Sequence, residues 1–393
     1  MSPNILKKNS FALLLQLLIL VIIMLPLLSG FTKKSDVAIV YIGTFSGGKS
    51  QGIYACRLNY ANMKLEPLGV VAEMVSPSFV AIHPNQQFLY SVAEMDTGNG
   101  NKTGAVAAFS IDPNSGKLKL LNKVSAHGGH PCYVSMDHSG KSLLAASYNT
   151  GSIAVCPIMN DGRLGEATES IQYSGSSINP QRQEGPHAHS INVSPDNRFA
   201  LAADLGQDKI FVYHLDAENG KLIPNEPPFI SLKPGAGPRH FAFHPSGKFL
   251  YSMNELYSTV TVFAFDSLTG ATNEIETVTT LPNDFTEFNK TAEILVHPTG
   301  RFLYGSNRGH DSIVVYAIDQ STGRLTLVDW TSTQGKTPRN FGIDPKGEFL
   351  IAANKDTDSI VLFKIAQESG KLIETGQKLE IPTPVCVRFL MQD

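Results

Sequence analysis

The stretch "AFHPSGKFLYSMNE" (residues 242–255) decides the fold, because variants of it recur along the whole chain. It reads as two short apolar runs joined by a His-Pro-Ser-Gly turn, which is the pattern of a tight β-hairpin. The similar stretches are "AIHPNQQFLYSVAE" (81–94), "SMDHSGKSLLAASY" (135–148), "NVSPDNRFALAADL" (192–205), "LVHPTGRFLYGSNR" (295–308) and "GIDPKGEFLIAANK" (342–355). The turns recur every 47 to 57 residues, so the hairpin is one part of an internal repeat.

A second motif follows each hairpin: a strand, a short polar loop and Gly-Lys-Leu or Gly-Arg-Leu. Clear copies are "SIDPNSGKLKLL" (110–121), "HLDAENGKLI" (214–223) and "AIDQSTGRLTLV" (317–328). Each repeat therefore holds four short strands in about 50 residues, which is typical of a β-propeller blade.

The two ends of the repeat region complete each other. "DVAIVYIGTF" (36–45) resembles the second strand of a repeat, and "TPVCVRFLMQD" (383–393) resembles the first. One blade is therefore split between the ends, an arrangement that closes the ring and removes exposed sheet edges. The sequence predicts an all-β fold: one seven-bladed propeller over residues 36–393, built from four-stranded antiparallel blades.

Residues 1–30 form a separate segment. Lys7 and Lys8 precede an apolar run over 11–28, and the small residues Ser29 and Gly30 follow. A positive region, an apolar run and small residues indicate an export signal, although the run is also long enough to anchor the chain in a membrane. We expect an exported protein, periplasmic or held at the outer face of the inner membrane, with membrane contact only through this segment.

The bulk composition excludes some function classes. The net charge is −3 and 17% of residues are charged, so the chain carries no basic field for nucleic acid. The cysteines are widely spaced and form no CxxC pair, which argues against a cysteine metal site. An exported protein could pair them, but we expect them to be small buried apolar residues. They are Cys56, Cys132, Cys156 and Cys386.

The candidate site comes from the edge where the first two strands of each blade meet. First strands line a propeller's central channel, and the antiparallel second strand ends beside the start of the first. The first strand of each blade begins with a residue that varies between blades; in the clear cases it is Ser78, Cys132, His187, Arg239 or Arg339. The second strands end at Glu94, Tyr148, Asp204, Glu255, Arg308 and Lys355. Turn and core positions repeat almost unchanged while this edge varies, which favours a binding or catalytic role.

The residue types at this edge suggest anion chemistry. Arg239, Arg308 and Arg339 form a cationic cluster suited to a carboxylate or phosphate. Glu255 among them would stay ionised and could accept a proton or orient water, or it could form only a structural ion pair with Arg239. His187 and His189 alternate, so both side chains should share one face of their strand.

Other nearby residues are weaker candidates. Arg182 and His130 lie in loops that could reach the mouth or could simply be exposed. His187 and His189 could bind a metal, but no further ligand stands at suitable spacing, so we expect no metal and no cofactor. The histidines of the His-Pro turns are expected to be structural; they are His83, His244 and His297.

At these residues the chain resembles the seven-bladed propeller lactonases of the bacterial 6-phosphogluconolactonase type, a family that includes the fungal carboxymuconate lactonizing enzymes. The matching segments are "YIGTF" (41–45), "RQEGPHAHS" (182–190), "DLGQDKIFVY" (204–213), "PGAGPRHFAFHP" (234–245), "NELYSTVTVF" (254–263), "SNRGHDSIVVY" (306–316) and "TPRNFGIDP" (337–345). The resemblance implies a catalytic set at the channel mouth. It comprises His187 (or His189), Arg239, Glu255 and Arg308, with His189, Arg182, Arg339, His130 and Tyr148 as substrate-binding residues.

The expected activity is hydrolysis of a phosphorylated or carboxylated sugar lactone. The sequence contains no GxSxG elbow, which argues against a covalent acyl-enzyme. Two alternatives stay open: a non-catalytic propeller that binds a glycan, a protein or an acidic metabolite, and a cycloisomerase acting on a muconate-like diacid.

Overall fold

The computed structural model describes residues 36–95 and 103–391, which form seven four-stranded antiparallel sheets. The first four blades are as follows, each from its inner strand outward. One comprises β28 (Pro384–Met391), β1 (Val37–Thr44), β2 (Gly52–Asn59) and β3 (Lys64–Glu73). The next comprises β4 (Val80–Ile82), β5 (Phe88–Ala93), β6 (Ala105–Ile111) and β7 (Leu118–Ser125). The third comprises β8 (Pro131–Met136), β9 (Ser142–Ser147), β10 (Ser152–Pro157) and β11 (Glu169–Gln172). The fourth comprises β12 (Ala188–Val193), β13 (Phe199–Asp204), β14 (Lys209–Asp216) and β15 (Lys221–Ser231).

The remaining three blades follow the same order. The fifth blade comprises β16 (Pro238–Phe243), β17 (Phe249–Asn254), β18 (Thr259–Phe265) and β19 (Thr272–Thr279). The sixth comprises β20 (Lys290–Val296), β21 (Phe302–Arg308), β22 (Ser312–Ile318) and β23 (Leu325–Ser332). The seventh comprises β24 (Pro338–Ile343), β25 (Phe349–Asn354), β26 (Ser359–Ile365) and β27 (Leu372–Glu380). A 3₁₀ turn at Lys355–Thr357 connects two strands of the last blade. The prediction of seven four-stranded blades is confirmed.

The split blade is also confirmed. Strand β1 pairs antiparallel with β28, so that Ile39 lies opposite Leu390 and Tyr41 opposite Arg388. This pairing joins strands from the two ends of the propeller, so that β1 is paired on both sides, by β28 and by β2. The expected export segment, residues 1–30, lies outside the described residues.

The repeated turn residues bind one blade to the next. Nε2 of His244 lies 3.0 Å from the carbonyl oxygen of Gly300, the turn glycine of the following blade. His83 and His297 make the same contact with the next turn glycine. A Cβ at Gly300 would lie 2.6 Å from Nε2 of His244, so the close approach requires glycine. The turn histidines are therefore structural, as expected.

A second periodic contact explains the glycine of the Gly-Lys-Leu loops. The hydroxyl of Tyr251 donates to the carbonyl oxygen of Gly323 at 3.1 Å, and that of Tyr304 donates to Gly370 at 2.8 Å. Each tyrosine lies on the second strand of a blade and reaches the loop of the next one. Both motifs of the sequence repeat therefore hold neighbouring blades together.

The four cysteines are buried and none forms a disulfide, as expected for small apolar residues. Across residues 36–95 and 103–391, we find no helix of sufficient length and apolarity to span a bilayer.

Candidate active site at the channel mouth

β-Bulges at the start of the inner strands aim the variable side chains into the channel mouth. The register of β16 against β17 shifts between Pro238 and His240, and the extra residue is Arg239. The same shift occurs at the start of β8, β12 and β24, where the extra residues are Cys132, His189 and Arg339. A bulge inserts one residue and re-aims its side chain, a device common beside active sites.

This register assigns the ring position of the fourth blade to His189 and corrects our alignment of His187 with Arg239. Ala188 pairs with Asp204 as Pro238 pairs with Asn254, so the residue after Ala188 is the one that matches Arg239. The proline in Pro186-His187-Ala188 stands two residues earlier than in the other blades, and aligning prolines therefore shifted the match.

Glu255 lies at the centre of the mouth, where three arginines contact it. Its Oε1 accepts a hydrogen bond from Nη2 of Arg182 at 2.8 Å. Its Oε2 lies 2.9 Å from Nη2 of Arg308 and 3.2 Å from Nε of Arg239. Glu255 is only 3% exposed and Arg239 only 2%. The four side chains come from the loop before β12, the start of β16, the residue after β17 and the end of β21.

Two of these arginines are fixed a second time by the bulged strand β20. Nη1 of Arg239 donates to the carbonyl oxygen of Ala292 at 2.7 Å, and Nη2 of Arg308 donates to that of Thr291 at 2.6 Å. The register of β20 is irregular between Thr291 and Ile294, which frees these carbonyls for the guanidiniums. The arginines are thus held both by Glu255 and by main-chain oxygens.

The network still leaves hydrogen-bond donors unused. Nη1 of Arg182 and Nε of Arg308 are buried and donate to no acceptor among the described residues, and Nε of Arg239 lies 3.2 Å from Oε2 of Glu255 without hydrogen-bond geometry. Buried donors without an acceptor are costly in a folded protein, so they indicate a position that a ligand oxygen can fill.

The surroundings of Glu255 keep it ionised. Burial alone would raise its pKa, but the guanidiniums of Arg308, Arg239 and Arg182 hold the pKa of Glu255 well below its ordinary value. A carboxylate stabilised this strongly is a weak base. Its chemical contribution is to orient the three guanidiniums.

Arg182 reaches the mouth because a buried glutamine anchors its loop. Nε2 of Gln183 donates to the carbonyl oxygen of Leu205 at 2.9 Å and to Oδ1 of Asp208 at 2.8 Å. Gln183 is fully buried. Nη2 of Arg182 also donates to the hydroxyl of Tyr148 at 3.1 Å. Of the two possibilities that the sequence left open for Arg182, the structure has the one in which it reaches the mouth.

His187 and His130 lie beside the mouth and do not line it. The ring of His187 stacks on Tyr148 with centroids 4.4 Å apart, and its Nδ1 lies 3.0 Å from the carbonyl oxygen of Tyr148. Its Nε2 lies 3.1 Å from Oε1 of Glu184. The carbonyl oxygen of His130 accepts a hydrogen bond from the backbone N–H of Tyr148. Both histidines thus contact Tyr148, one through its ring and one through the main chain.

The mouth encloses a cavity of about 250 Å³. Its lining includes six of the predicted residues, which are Tyr148, Arg182, His189, Glu255, Arg308 and Arg339. Arg239 lies deeper, against a narrow void of about 10 Å³ that also touches Arg339. The cavity is therefore polar, mostly cationic, and open above the Glu255 network.

Two charged residues of the cavity lining, Glu94 and Lys290, were absent from the predicted set. Glu94 ends a second strand just as Glu255 does, so the repeat alignment contained a signal for it. Lys290 is the first residue of β20 and stands opposite Arg308 in the register. It precedes Thr291, where other blades carry proline, and without that marker the repeat did not place it.

The cavity has two cations without a carboxylate partner. Lys290 and Arg339 form no salt bridge to a described acidic residue, in contrast to Arg182, Arg239 and Arg308. The guanidinium of Arg339 instead lies 5.1 Å from the ring of Phe45, and Nζ of Lys290 lies 5.4 Å from the ring of Phe288. Two cavity cations that form no salt bridge with a described residue favour an anionic ligand group.

Within residues 36–95 and 103–391, no group of three His, Cys, Asp or Glu side chains could hold a metal ion. His189 instead packs against protein groups, with its Nδ1 3.8 Å from Sγ of Cys132 and its ring edge-on to Tyr148.

Comparison with known proteins agrees with this architecture. The family model for the seven-bladed β-propeller lactonases matches residues 39–389. A 6-phosphogluconolactonase of Bacillus subtilis is 39% identical over 352 residues, covering 90% of this chain and 98% of that protein. A 6-phosphogluconolactonase of Formosa agariphila is 36% identical over 316 residues, covering 78% of this chain and 86% of that protein.

A solved structure gives the same result. The periplasmic gluconolactonase of Pseudomonas aeruginosa superposes with a TM-score of 0.86 at 33% identity, covering 91% of this chain and 100% of that one. With the ring of seven blades, the polar mouth and these matches over nearly the whole propeller, the chain belongs to the seven-bladed β-propeller lactonase family.

Proposed function

We propose that this protein hydrolyses a sugar lactone at the channel mouth, with a phosphorylated gluconolactone as the best candidate substrate. The observation that carries the proposal is the set of buried guanidinium donors without an acceptor, held around Glu255 beneath a cavity of about 250 Å³. Ester hydrolysis develops negative charge on the carbonyl oxygen, and prearranged donors that stabilise this charge are usually the largest catalytic contribution. Membership of the lactonase family supports the same chemistry.

In this proposal Arg239 and Arg308 stabilise the oxyanion. Arg239 is buried and Arg308 partly buried, each is held by a main-chain carbonyl, and Arg308 keeps an unused Nε–H. Glu255 fixes their orientation. Arg182 and Tyr148 line the cavity and are joined by a hydrogen bond, and His187 supports Tyr148 by stacking. No covalent intermediate is needed, because a water molecule can attack the carbonyl carbon directly.

Lys290 and Arg339 are proposed to hold the charged end of the substrate. They are the cavity cations that form no salt bridge with a described residue. A phosphate group carries up to two negative charges and suits a pair of cations better than a neutral sugar hydroxyl does.

The activity is tested by incubating the purified full-length protein with 6-phosphogluconolactone, glucono-δ-lactone and carboxymuconolactone. Hydrolysis of a gluconolactone above the spontaneous rate is the expected result, together with a strong loss of kcat in Arg239→Ala. Turnover of carboxymuconolactone alone would favour the cycloisomerase alternative. Tight binding without turnover of any of the three would favour a binding propeller.

We also propose that the protein is exported. The basic residues and apolar run within 1–30 support this, and one similar structure is named a periplasmic gluconolactonase. Cell fractionation of the full chain and of a variant lacking residues 1–30 tests the proposal. Recovery of the full chain in the cytosolic fraction would contradict it.

A further inference from the structure

We propose that Glu94 is the catalytic base that activates water for attack on the lactone carbonyl. This inference rests on the proposed lactone hydrolysis and adds the proton-transfer group that the arginine network lacks. Glu94 follows β5 and lies three blades around the ring from Glu255.

The position of Glu94 fits this role. It lines both the cavity of about 250 Å³ and the narrow void beneath it, where Arg239 and Arg339 also lie. The void of about 10 Å³ has roughly the volume that one water molecule needs. Its other polar neighbours include Ser78 and Asn340. A water molecule there would lie between a carboxylate and guanidinium donors.

The hydrogen bonding of Glu94 leaves it free to accept a proton. Oε2 accepts a hydrogen bond from the hydroxyl of Ser78, and Glu94 forms no salt bridge with a described residue. The hydroxyl orients the carboxylate through one oxygen, and the other oxygen has no hydrogen-bond partner within residues 36–95 and 103–391. Glu255, in contrast, uses both oxygens to bind arginines.

The electrostatic environment supports the assignment. Burial raises the pKa of Glu94, and Arg339 and the hydrogen bond from Ser78 offset that effect only in part. A raised pKa makes the carboxylate a better base near neutral pH. The two glutamates of this cavity therefore differ in function: Glu255 holds cations and Glu94 exchanges a proton.

The other titratable groups of the cavity are less suitable. Burial and the nearby Arg239 lower the pKa of His189 well below its ordinary value, so its imidazole is a weak base. Burial raises the pKa of the Cys132 thiol far above neutral, which leaves it protonated and a poor nucleophile. Burial likewise raises the pKa of Tyr148.

The proposed reaction balances with water as the only co-reactant. Glu94 takes one proton from water while the water oxygen bonds to the carbonyl carbon, and the C=O electron pair moves onto oxygen beside the guanidiniums. The tetrahedral intermediate collapses, the ring C–O bond breaks, and the leaving ring oxygen takes the proton back from Glu94. The product is the open-chain hydroxy acid, and the enzyme returns to its starting state.

The test uses Glu94→Gln, which keeps the shape and the acceptor for Ser78 but cannot take up a proton. With 6-phosphogluconolactone and the spontaneous rate subtracted, we expect kcat to fall by about 10²- to 10⁴-fold, the usual contribution of general acid–base catalysis. KM should change by less than about threefold, since the network around Glu255 is intact. Glu287→Gln, an exposed glutamate outside the cavity lining, is the matched control and should retain wild-type turnover.

A second variant reports on Glu94 without removing it. Ser78→Ala deletes a hydrogen bond that stabilises the carboxylate, so the pKa of Glu94 should rise further. Activity requires the ionised carboxylate of Glu94 and therefore falls as pH drops through the pKa of Glu94. In Ser78→Ala, the acid limb of the pH profile of kcat/KM should move to higher pH. The pH profile of the residual activity of Glu94→Gln should lack this acid limb.

The outcomes separate this inference from the proposed function. If the wild-type protein hydrolyses no lactone, the proposed function fails. If the wild type is active but Glu94→Gln keeps kcat within about threefold of it, Glu94 is not the base and the lactonase assignment stands. An unshifted acid limb in a folded, active Ser78→Ala variant would also overturn the role of Glu94.

Discussion

Nε of Arg239 lies 3.2 Å from Oε2 of Glu255, although the two residues begin and end the first hairpin of their blade. Antiparallel pairing brings the start of β16 beside the end of β17, and Pro238 faces Asn254 in the register. The same oxygen also binds Arg308 from the next blade. The pair is thus part of a network across blades and does more than close one hairpin.

Removing the central carboxylate should destabilise the protein. Glu255→Gln leaves Arg182, Arg239 and Arg308 buried or partly buried without their counter-charge, and breaking a buried ion pair from one side typically costs about 3–5 kcal/mol. We expect a lower midpoint of thermal unfolding at pH 7 and a strong loss of kcat. An unchanged midpoint would show that the guanidiniums do not depend on Glu255.

The stability contribution of Glu255 should depend on pH with a defined sign. Its pKa is lowered in the folded state, so its stabilisation is fully present above the unfolded pKa of about 4.3. The contribution is lost only as pH falls through the much lower folded pKa. The difference in unfolding free energy between wild type and Glu255→Gln, measured by urea unfolding, should be constant from pH 6 to pH 8 and shrink in strong acid. A difference that already disappears near pH 6 would contradict this prediction.

Glu94→Gln should have the opposite effect on stability. The pKa of Glu94 is raised in the folded state, so ionising this carboxylate opposes folding. We expect the variant to melt at a higher temperature than the wild type at pH 8, and this gain to vanish below the unfolded pKa of about 4.3. Scanning calorimetry across pH measures both. A melting temperature below that of wild type at pH 8 would show that the carboxylate stabilises the fold.

Lys290 should discriminate between phosphorylated and unphosphorylated lactones. We expect Lys290→Met to lower kcat/KM for 6-phosphogluconolactone by about 10-fold or more, as one charge-assisted hydrogen bond contributes about 1.5–3 kcal/mol. The value for glucono-δ-lactone should change little. Lys209→Met is a matched control, since Lys209 also begins a strand and lies 4.3 Å from an aromatic ring, that of Phe229, but does not line the cavity. Equal losses on both lactones would contradict a phosphate-binding role.

The turn histidines should affect stability without affecting catalysis. His244→Ala removes one of the two hydrogen bonds to the carbonyl oxygen of Gly300, which Nε2 of Gln320 still contacts at 2.9 Å, at a cost of about 0.5–1.5 kcal/mol. We expect a lower thermal midpoint and an unchanged kcat for the folded enzyme. A large fall in kcat would contradict the prediction and would show that the turn at His244 affects the geometry of the channel mouth.

The repeat made the fold predictable, because the contacts that join blades fall on the repeated residues. Tyr251 and Gly323 belong to the repeated sequence motifs because the hydrogen bond between them joins one blade to the next. The split blade was equally predictable, since its two parts resemble the first and second strands of the repeat. The N-terminal segment is not part of the repeat. Its interpretation as an export signal stays a prediction, because residues 1–30 lie outside the described residues.

The site was predictable only where it coincides with the repeat. Arg239, Glu255 and Arg308 occupy regular positions and were found. His189 was misaligned because the proline of its blade stands two residues early. The contact of Arg182 with Glu255 joins residues 73 positions apart through a loop without periodicity. The contrast between Glu94 and Glu255 depends on which neighbours surround each carboxylate, and only the folded ring determines those neighbours.

The pairing of β1 with β28 has a consequence for biosynthesis. Within the propeller, β1 is synthesised before the other strands and finds its partner only when β28 has been completed, because Ile39 pairs with Leu390. A premature stop codon before Pro384 would leave "VAIVYIGT" (37–44), a nearly continuous apolar stretch, as an unpaired edge. Such an edge recruits other chains. Nonsense mutations late in the gene should therefore yield insoluble protein and not a slightly shortened enzyme.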